Sequence, residues 1–483
     1  VRLSRAAPPP GAAPHGKLRG ELGASHYFAF GFGSIVGSGW LVIVGGWLTL
    51  AGPLGTALGF ALGGATIAII SICYARLAVE MPEAGGEFLY IGGVFGGLPG
   101  FMTGWFLTSY YVAVCVFEGL ALAEVLRTVL PVLPASAAAS ARIAAPDLIA
   151  GGLGTAVIYG LNVAGIRISA SFQWLANYGF LALATLVLII LTAHGAPAHL
   201  HPAFVTAHGS IWPGVLALAT ISIFMLDGFQ AIPQAIEERA PGLSPATAAR
   251  MIVVSVIVAA LFYAFVALAS AAVLPWRKVA GPGIATFKAA SGLPGGWLLV
   301  RLLAFAAAIS LLKTWNVVMI MTARLLFAMA RAGMAPAILG RLSRSTGAPI
   351  PALSLVAGLT LLGLLLGRNA IDPIISLSAI VLGAVYLATC LALLFLRRRR
   401  AGRLQGAALP VAGSVAATLV LGIAMYQLVL GGADSAPVAG VLAVWSLLGL
   451  LVWRKAAGPG AREEQATSGQ TQAEATQQLE CAP

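Results

Sequence analysis

The stretch Phe30-Gly31-Phe32-Gly33-Ser34-Ile35-Val36-Gly37-Ser38-Gly39-Trp40 lies inside the first long apolar run of the chain. Its four glycines, Gly31, Gly33, Gly37 and Gly39, fall within nine residues. Each costs about 1 kcal/mol relative to alanine in a continuous helix. One explanation is close helix packing through small residues. The sharper one is an unwound break at the bilayer midplane, where free backbone N–H groups and a half-helix N-terminus attract a carboxylate. Gly37-Ser38-Gly39 is the tightest cluster and the predicted break.

A bilayer is implied by the rest of the chain. Of 483 residues, 59% are hydrophobic and 9% charged, against roughly 25% charged in soluble domains. Apolar runs of spanning length recur near 27–49, 54–76, 95–127, 147–166, 171–193, 212–236, 251–274, 295–330, 350–367, 373–396, 408–430 and 436–453, predicting twelve helices. The third and eighth exceed the 20 or so residues that a crossing needs. An even number puts both ends of the chain on one side. Of the 28 Lys and Arg, nineteen then fall on the side of the termini, including Arg76, Arg331 and Arg397 to Arg400. Six fall on the other, and Arg301, Lys313 and Arg324 lie within helices. Positive charge stays inside, so the termini are expected in the cytoplasm, in the inner (cytoplasmic) membrane of the cell.

The net charge of +12 does not indicate nucleic acid, because the basic residues sit between apolar runs rather than on one face. Cys73, Cys115, Cys390 and Cys481 lack metal spacing and imply no disulfide framework. His194, His199, His201 and His208 are irregularly spaced without a carboxylate and read as an external loop rather than a metal site. No cofactor, metal or catalytic residue is expected. An enzyme would need a histidine or Ser/His/Asp cluster at membrane depth. A sensor would need a soluble signalling domain, which the polar tail 458–483 does not offer.

The sixth run has an irregularity matching the first. Phe224-Met225-Leu226-Asp227-Gly228-Phe229-Gln230 is followed by Pro233 and Glu237-Glu238. An aspartate and a glycine inside an apolar run predict a second break, and Pro233 removes a backbone bond nearby. Exposed carbonyls there suit a cationic amine. The first and sixth runs hold corresponding places in two halves, and paired interruptions of this kind point to a transporter's binding site.

Three further segments, with those two, carry a family resemblance. They are Tyr74-Ala75-Arg76-Leu77, the loop Met81-Pro82-Glu83-Ala84-Gly85-Gly86-Glu87-Phe88, and Thr322-Ala323-Arg324 through Arg331-Ala332-Gly333-Met334-Ala335-Pro336. Over most of 25–400 the chain resembles the amino acid–polyamine–organocation (APC) permeases. The resemblance implies a LeuT-like fold: an all-α integral membrane protein of twelve helices, with 5+5 inverted repeats at about 27–193 and 212–396. Residues 1–24 form an N-terminal segment, 25–400 the transport core, 401–457 two added helices and 458–483 a disordered tail. Uptake or exchange of amino acids or related amines is implied as the activity. Substrate carboxylate is placed on the amides of Ser34, Ile35, Val36, Gly37, Ser38 and Gly39. The amine is placed on the carbonyls of the second break, Phe224, Met225, Leu226, Asp227 and Gly228, with Gln230 a further candidate; the Asp227 side chain either faces the substrate or caps a half-helix.

Charges within apolar helices are functional hypotheses by default. Aligned from Gly100-Phe101 to Trp105, Glu118 falls near the substrate side-chain pocket; its alternative role is as a partner to backbone or to Lys313. Sodium-coupled relatives of this fold hold a sodium between helices one and eight, and some proton-coupled members replace it by a lysine on helix five. Here helix five has neither lysine nor acid, and Lys313 on helix eight is the candidate surrogate. The alternatives for Lys313 are a structural ion pair or an outward snorkel. Protons, or exchange, rather than sodium are then expected to drive the cycle. Glu237 is assigned to the inner gate, Glu238 to a pair with an arginine. The aromatics Trp40, Tyr110, Tyr111 and Trp315 are candidates to gate or line the pocket, or to pack.

Overall fold

The computed structural model describes residues 18–37, 39–129, 145–280, 284–366, 371–401, 407–430 and 436–456. Ser38, the tail 458–483 and most of the N-terminal segment lie outside them. Every apolar run quoted above is mainly helical where described. The first is split into α1 (Ala24–Ile35) and α2 (Gly39–Ala51). The second is α3 (Pro53–Glu80), followed by a short α4 (Glu87–Phe95). Then come α5 (Gly97–Val129), α6 (Ala145–Val163) and α7 (Ile166–Ala193). The sixth run is also split, into α8 (Trp212–Met225) and the short α9 (Ala231–Gln234). After α10 (Pro245–Ala272) come two short helices, α11 (Trp276–Val279) and α12 (Ala285–Ser291). The chain ends with α13 (Gly296–Arg331), α14 (Ile350–Leu364), α15 (Ile371–Ala401), α16 (Ala408–Leu430) and α17 (Ala436–Ala456).

Several boundaries differ from the sequence reading for local reasons. The seventh run begins at Pro245 rather than 251, because Ser244 caps it: its Oγ accepts the Thr247 amide at 3.0 Å, and proline suits the first helical position. The second run continues to Glu80, since a helix carrying polar residues extends beyond its apolar stretch without cost. Helices α4, α11 and α12 are too short to register as crossings.

Among the described residues, seven helices are long and apolar enough to cross a membrane: those within α3, α5, α7, α10, α13, α15 and α16. Large apolar side chains such as Leu175, Leu186, Leu261, Val415 and Val429 are exposed on their outer faces. Such surface suits lipid as solvent.

Packing places the split helices at the centre. Helix α1 lies against α7, α10 and α13, α8 lies against α3, and the pairs α3–α10 and α5–α13 brace them. The two interruptions touch. Gly228 has φ +120°, and a Cβ there would lie 2.7 Å from the Ser34 carbonyl carbon and 2.9 Å from the Ile35 nitrogen. Only glycine permits both the backbone angle and that approach.

Gly228→Ala should therefore lower the melting temperature of the detergent-purified protein markedly, by more than about 1 kcal/mol of stability. Gly39→Ala should leave it nearly unchanged, as no described atom lies within 4 Å of its Cβ direction.

Candidate functional site

The helix of the first run ends at Ile35, and the backbone is non-helical at Val36 and Gly37 before α2 begins at Gly39. A broken helix frees carbonyls that need donors, and in lipid each unsatisfied group costs several kcal/mol. One turn of α13 supplies most of them. Lys313 Nζ donates to Gly33 O at 3.0 Å and to Val36 O. Thr314 Oγ1 donates to Gly33 O at 2.9 Å and Ser310 Oγ to Val36 O at 3.0 Å. From α10, Tyr263 Oη donates to Ile35 O at 2.9 Å. Ser310, Lys313 and Thr314 stand at i, i+3 and i+4, so they share one helix face.

The Lys313 ammonium is completely buried, 4.8 Å from the centre of the Phe180 ring and 5.8 Å from that of Phe32. A lysine at the bilayer centre costs about 2.5–3.5 kcal/mol on insertion scales. Two hydrogen bonds to a charged donor, about 1.5–3 kcal/mol each, and two cation–π contacts are enough to offset that. Helix α7 thus contributes a ring where a lysine was absent from its sequence. A buried amide network fixes the register: Asn316 Oδ1 accepts from Asn162 Nδ2 and Ser169 Oγ, both at 3.0 Å, and Gln173 links Asn316 to Ala29 O.

Glu118 on α5 is buried beside the break: a Cβ on Gly37 would lie 3.7 Å from its Oε1 and 3.6 Å from Thr314 Oγ1. Its Oε2 has no hydrogen-bond partner. It interacts with Lys313 through space rather than as a contact pair.

At the second interruption, helix geometry lapses from Leu226 to Gln230. Asp227 is half-buried. Its Oδ1 accepts from Gln230 Nε2 at 2.5 Å and from Tyr386 Oη at 2.6 Å, while Oδ2 accepts from Tyr110 Oη. Gln230 Oε1 accepts the Gly228 amide at 2.9 Å. An ionised carboxylate offers about four acceptor positions, so three donors leave room for one more.

Ser34, Ile35, Val36, Gly37, Asp227, Gly228, Gln230, Glu118 and Lys313 are brought together around the two interruptions. Ser38 lies outside the described residues. Phe224, Met225 and Leu226 form the last turn of α8 and its C-cap. Trp40 packs edge-on against Phe262. Trp315, a candidate to gate or to pack, fills the gap between Gly119 of α5 and Gly154 of α6, where a Cβ on Gly154 would meet its ring at 2.5 Å. Sequence reasoning missed Ser310, Thr314, Tyr263, Phe180 and Tyr386. The spacing of Ser310, Lys313 and Thr314 was a readable signal, whereas the tyrosines come from distant helices.

Four segments close one end of the molecule, the one that carries Arg331. Arg331 grips Glu237 with two parallel bonds of 3.0 and 2.8 Å. The same carboxylate accepts the Ala84 amide at 3.1 Å and the Leu18 amide at 3.4 Å. Glu237 lies beyond the last turn of α9. Burial works against its charge, but the Arg331 guanidinium and the two amides outweigh that and hold the carboxyl below its usual range. Next to it, buried Arg324 pairs with buried Glu238 through bonds of 3.2 and 2.9 Å. The Glu238 carbonyl accepts the amides of Glu21 and Leu22, both at 2.8 Å.

Seven helices of membrane-crossing length among the described residues, packed around two interrupted ones, are consistent with a membrane transporter. The chain belongs to the amino acid permease family of the APC superfamily, whose profile matches residues 22–452. It is a multi-pass membrane permease for amino acids and not an enzyme. Among its relatives is the Asc-type amino acid transporter 1 of Homo sapiens, 26% identical over 408 residues, covering 81% of this chain and 74% of that protein. Another is the amino-acid permease RocC of Bacillus subtilis (strain 168), 24% identical over 397 residues, covering 79% of this chain and 82% of that protein. The large neutral amino acids transporter small subunit 2 of Rattus norvegicus is 38% identical over a shorter span of 89 residues, 18% of this chain and 17% of that protein.

Replacing Glu238 by Gln should cost about 3–5 kcal/mol, because Arg324 is left as an uncompensated buried charge. Glu237→Gln should cost less and should open that end. The labelling rate of a cysteine placed at Ser34, with a thiol reagent added from that side, measures the opening. Acid should do the same as Glu237→Gln: the clasp is present above the ordinary carboxylate pKa and is lost as the pH falls through the depressed value of Glu237.

Proposed function

We propose that this permease is a secondary active transporter that moves amino acids or related amines by alternating access, driven by protons rather than sodium. The observation that carries the reading is the position of Lys313. Its ammonium occupies the space between the carbonyls of Gly33 and Val36 and the Ser310–Thr314 face of α13. Carbonyl and hydroxyl oxygens are the kind of ligand that a hard cation takes. In this chain a side-chain cation fills that space.

Substrate carboxylate binds the amides from Ser34 to Gly39, and the amine turns toward Asp227, which has an acceptor position to spare, and the carbonyls at Phe224 to Gly228. Glu118 stands by for a cationic group of the substrate or for a proton. The fold behind this is twelve crossings with two inverted five-helix repeats. The packing supports it: the first run lies on the seventh as the sixth lies on the second, and the second–seventh and third–eighth pairs map onto themselves under a shift of five. The core comprises 25–400, two further helices 401–457. The end closed by Arg331 and Glu237 faces the cytoplasm, a reading supported by the excess of basic residues on that side, and the membrane is the inner one.

Proteoliposome uptake of L-alanine, L-arginine and a panel of other amino acids and amines, with and without proton and sodium gradients, tests the reading. A pH gradient should drive accumulation and a sodium gradient should not. Lys313→Ala should abolish gradient-driven uptake while substrate binding persists; unchanged proton-driven uptake in that variant rejects the surrogate-ion role. Asp227→Asn should weaken binding of amino acids by about 10- to 100-fold, the worth of one charge-assisted hydrogen bond.

A further inference from the structure

Away from Lys313, a second acidic group is enclosed without a countercharge. Glu87 is the first residue of α4 and is fully buried. Its Oε2 accepts from Gln234 Nε2 at 2.8 Å, and its Oε1 has no hydrogen-bond partner. Among the described residues no Lys, Arg or His pairs with it. The carboxyl is held there by backbone packing. Gly86 has φ +47°, and a Cβ on it would lie 2.9 Å from Gln234 Nε2. The start of α4 therefore closes directly on α9, the segment that follows the second interruption.

The titratable groups around Glu87 are all acids. Tyr74 of α3 is within hydrogen-bonding reach, and Asp227 is felt through space. Tyr90 of α4 and Tyr111 of α5 are within electrostatic reach. The hydroxyls of Tyr90 and Tyr111 are buried and, like Glu87 Oε1, without partners. Two partnerless hydroxyls thus lie within electrostatic reach of a carboxyl that has a partnerless oxygen of its own. A carboxylate in such a place costs several kcal/mol. A neutral acid instead gains an O–H donor, which a tyrosine oxygen can accept. Burial pushes the Glu87 carboxyl up to about 8.

The same tyrosines lead to the site. Tyr111 and Tyr74 are each within electrostatic reach of both Glu87 and Asp227. The Tyr74 ring packs edge-on against Tyr386, whose hydroxyl donates to Asp227.

We propose that Glu87 is a proton-binding site of the transport cycle, joined to Asp227 by Tyr74, Tyr111 and Tyr386. This rests on the proton-coupled reading above and adds a second station to it. With α9 packed on Gly86, the site is dry and Glu87 carries its proton. When α9 and Gln234 move away, water enters, Glu87 releases H⁺ to it, and the carboxylate is solvated. Repacking requires the carboxyl to take up one H⁺ again, delivered from the side of Asp227. One proton enters and one leaves per cycle, and no other bond changes.

Infrared spectroscopy of the purified full-length protein tests the site without any substrate. A protonated-carboxyl band should disappear between about pH 7 and about pH 9. Glu87→Gln should remove that band, and Glu87→Asp should shift its frequency, which keeps the assignment secure should one variant fold poorly. In proteoliposomes, wild-type uptake of L-alanine should fall about tenfold over the same interval, as expected for one group titrating near 8, while E87Q should vary little from its own value at the lower pH. A wild-type-minus-E87Q difference spectrum without a titrating carboxyl band, to which the buried Glu118 makes no contribution because it is common to both proteins, or an E87Q pH profile identical to wild type, overturns the proposal. Should the band titrate and vanish in E87Q while no proton gradient drives wild-type uptake, the coupling reading and the role of Glu87 in the cycle both fall. In that case Glu87 remains a proton site without a transport function.

Discussion

Unpaired backbone polar groups cannot be left in hydrocarbon, and the two interrupted helices make that constraint acute at the centre of this molecule. The interruption after Ile35 releases the carbonyls of Gly33, Ile35 and Val36, and each is taken up by a side chain from another helix. Those four donors, Tyr263, Ser310, Lys313 and Thr314, come from α10 and α13. The placement of both helices is therefore tied to the break as firmly as the break is tied to them. The charge on Lys313 follows from the same need. A neutral hydroxyl gives one hydrogen bond, whereas an ammonium has three donors and reaches two carbonyls at once.

The second interruption is stabilised differently. Its polar centre is an anion, Asp227, and its donors are tyrosine hydroxyls and a glutamine from α5, α15 and the break itself. One interruption thus presents a cation to carbonyls and the other an anion to hydroxyls, with Gly228 allowing them to touch. In the binding mode proposed above, a zwitterion lying between them meets complementary fields at its two ends.

Much of this was legible in the sequence because membrane physics makes local signals strong. Gly37-Ser38-Gly39 and Asp227-Gly228 are costly in an apolar helix and therefore conspicuous. Lys313 and Glu118 stand out for the same reason. What could not be read was which distant groups meet them. Tyr386 lies 159 positions from the aspartate it binds, and nothing in its local sequence sets it apart from an aromatic packing residue. Trp315 shows the converse: a tryptophan beside Lys313 and Thr314 invites a gating role, yet its ring belongs to the gap left by Gly119 and Gly154. Glu87 sat in a quoted loop motif and drew no role, since an acid in a polar loop is ordinary until α9 is seen to bury it.

Glu237 shows how the closed end is built. One carboxylate holds a helix end through Arg331, a loop through the Ala84 amide and the N-terminal segment through the Leu18 amide, while its own chain leads back to the second interruption. Segments that share a single acceptor cannot loosen one at a time, for each departure leaves the others with a more exposed and weaker anchor. The closure is therefore cooperative. That end should pass between shut and open in one step, with few intermediate openings through which an unaccompanied ion could slip.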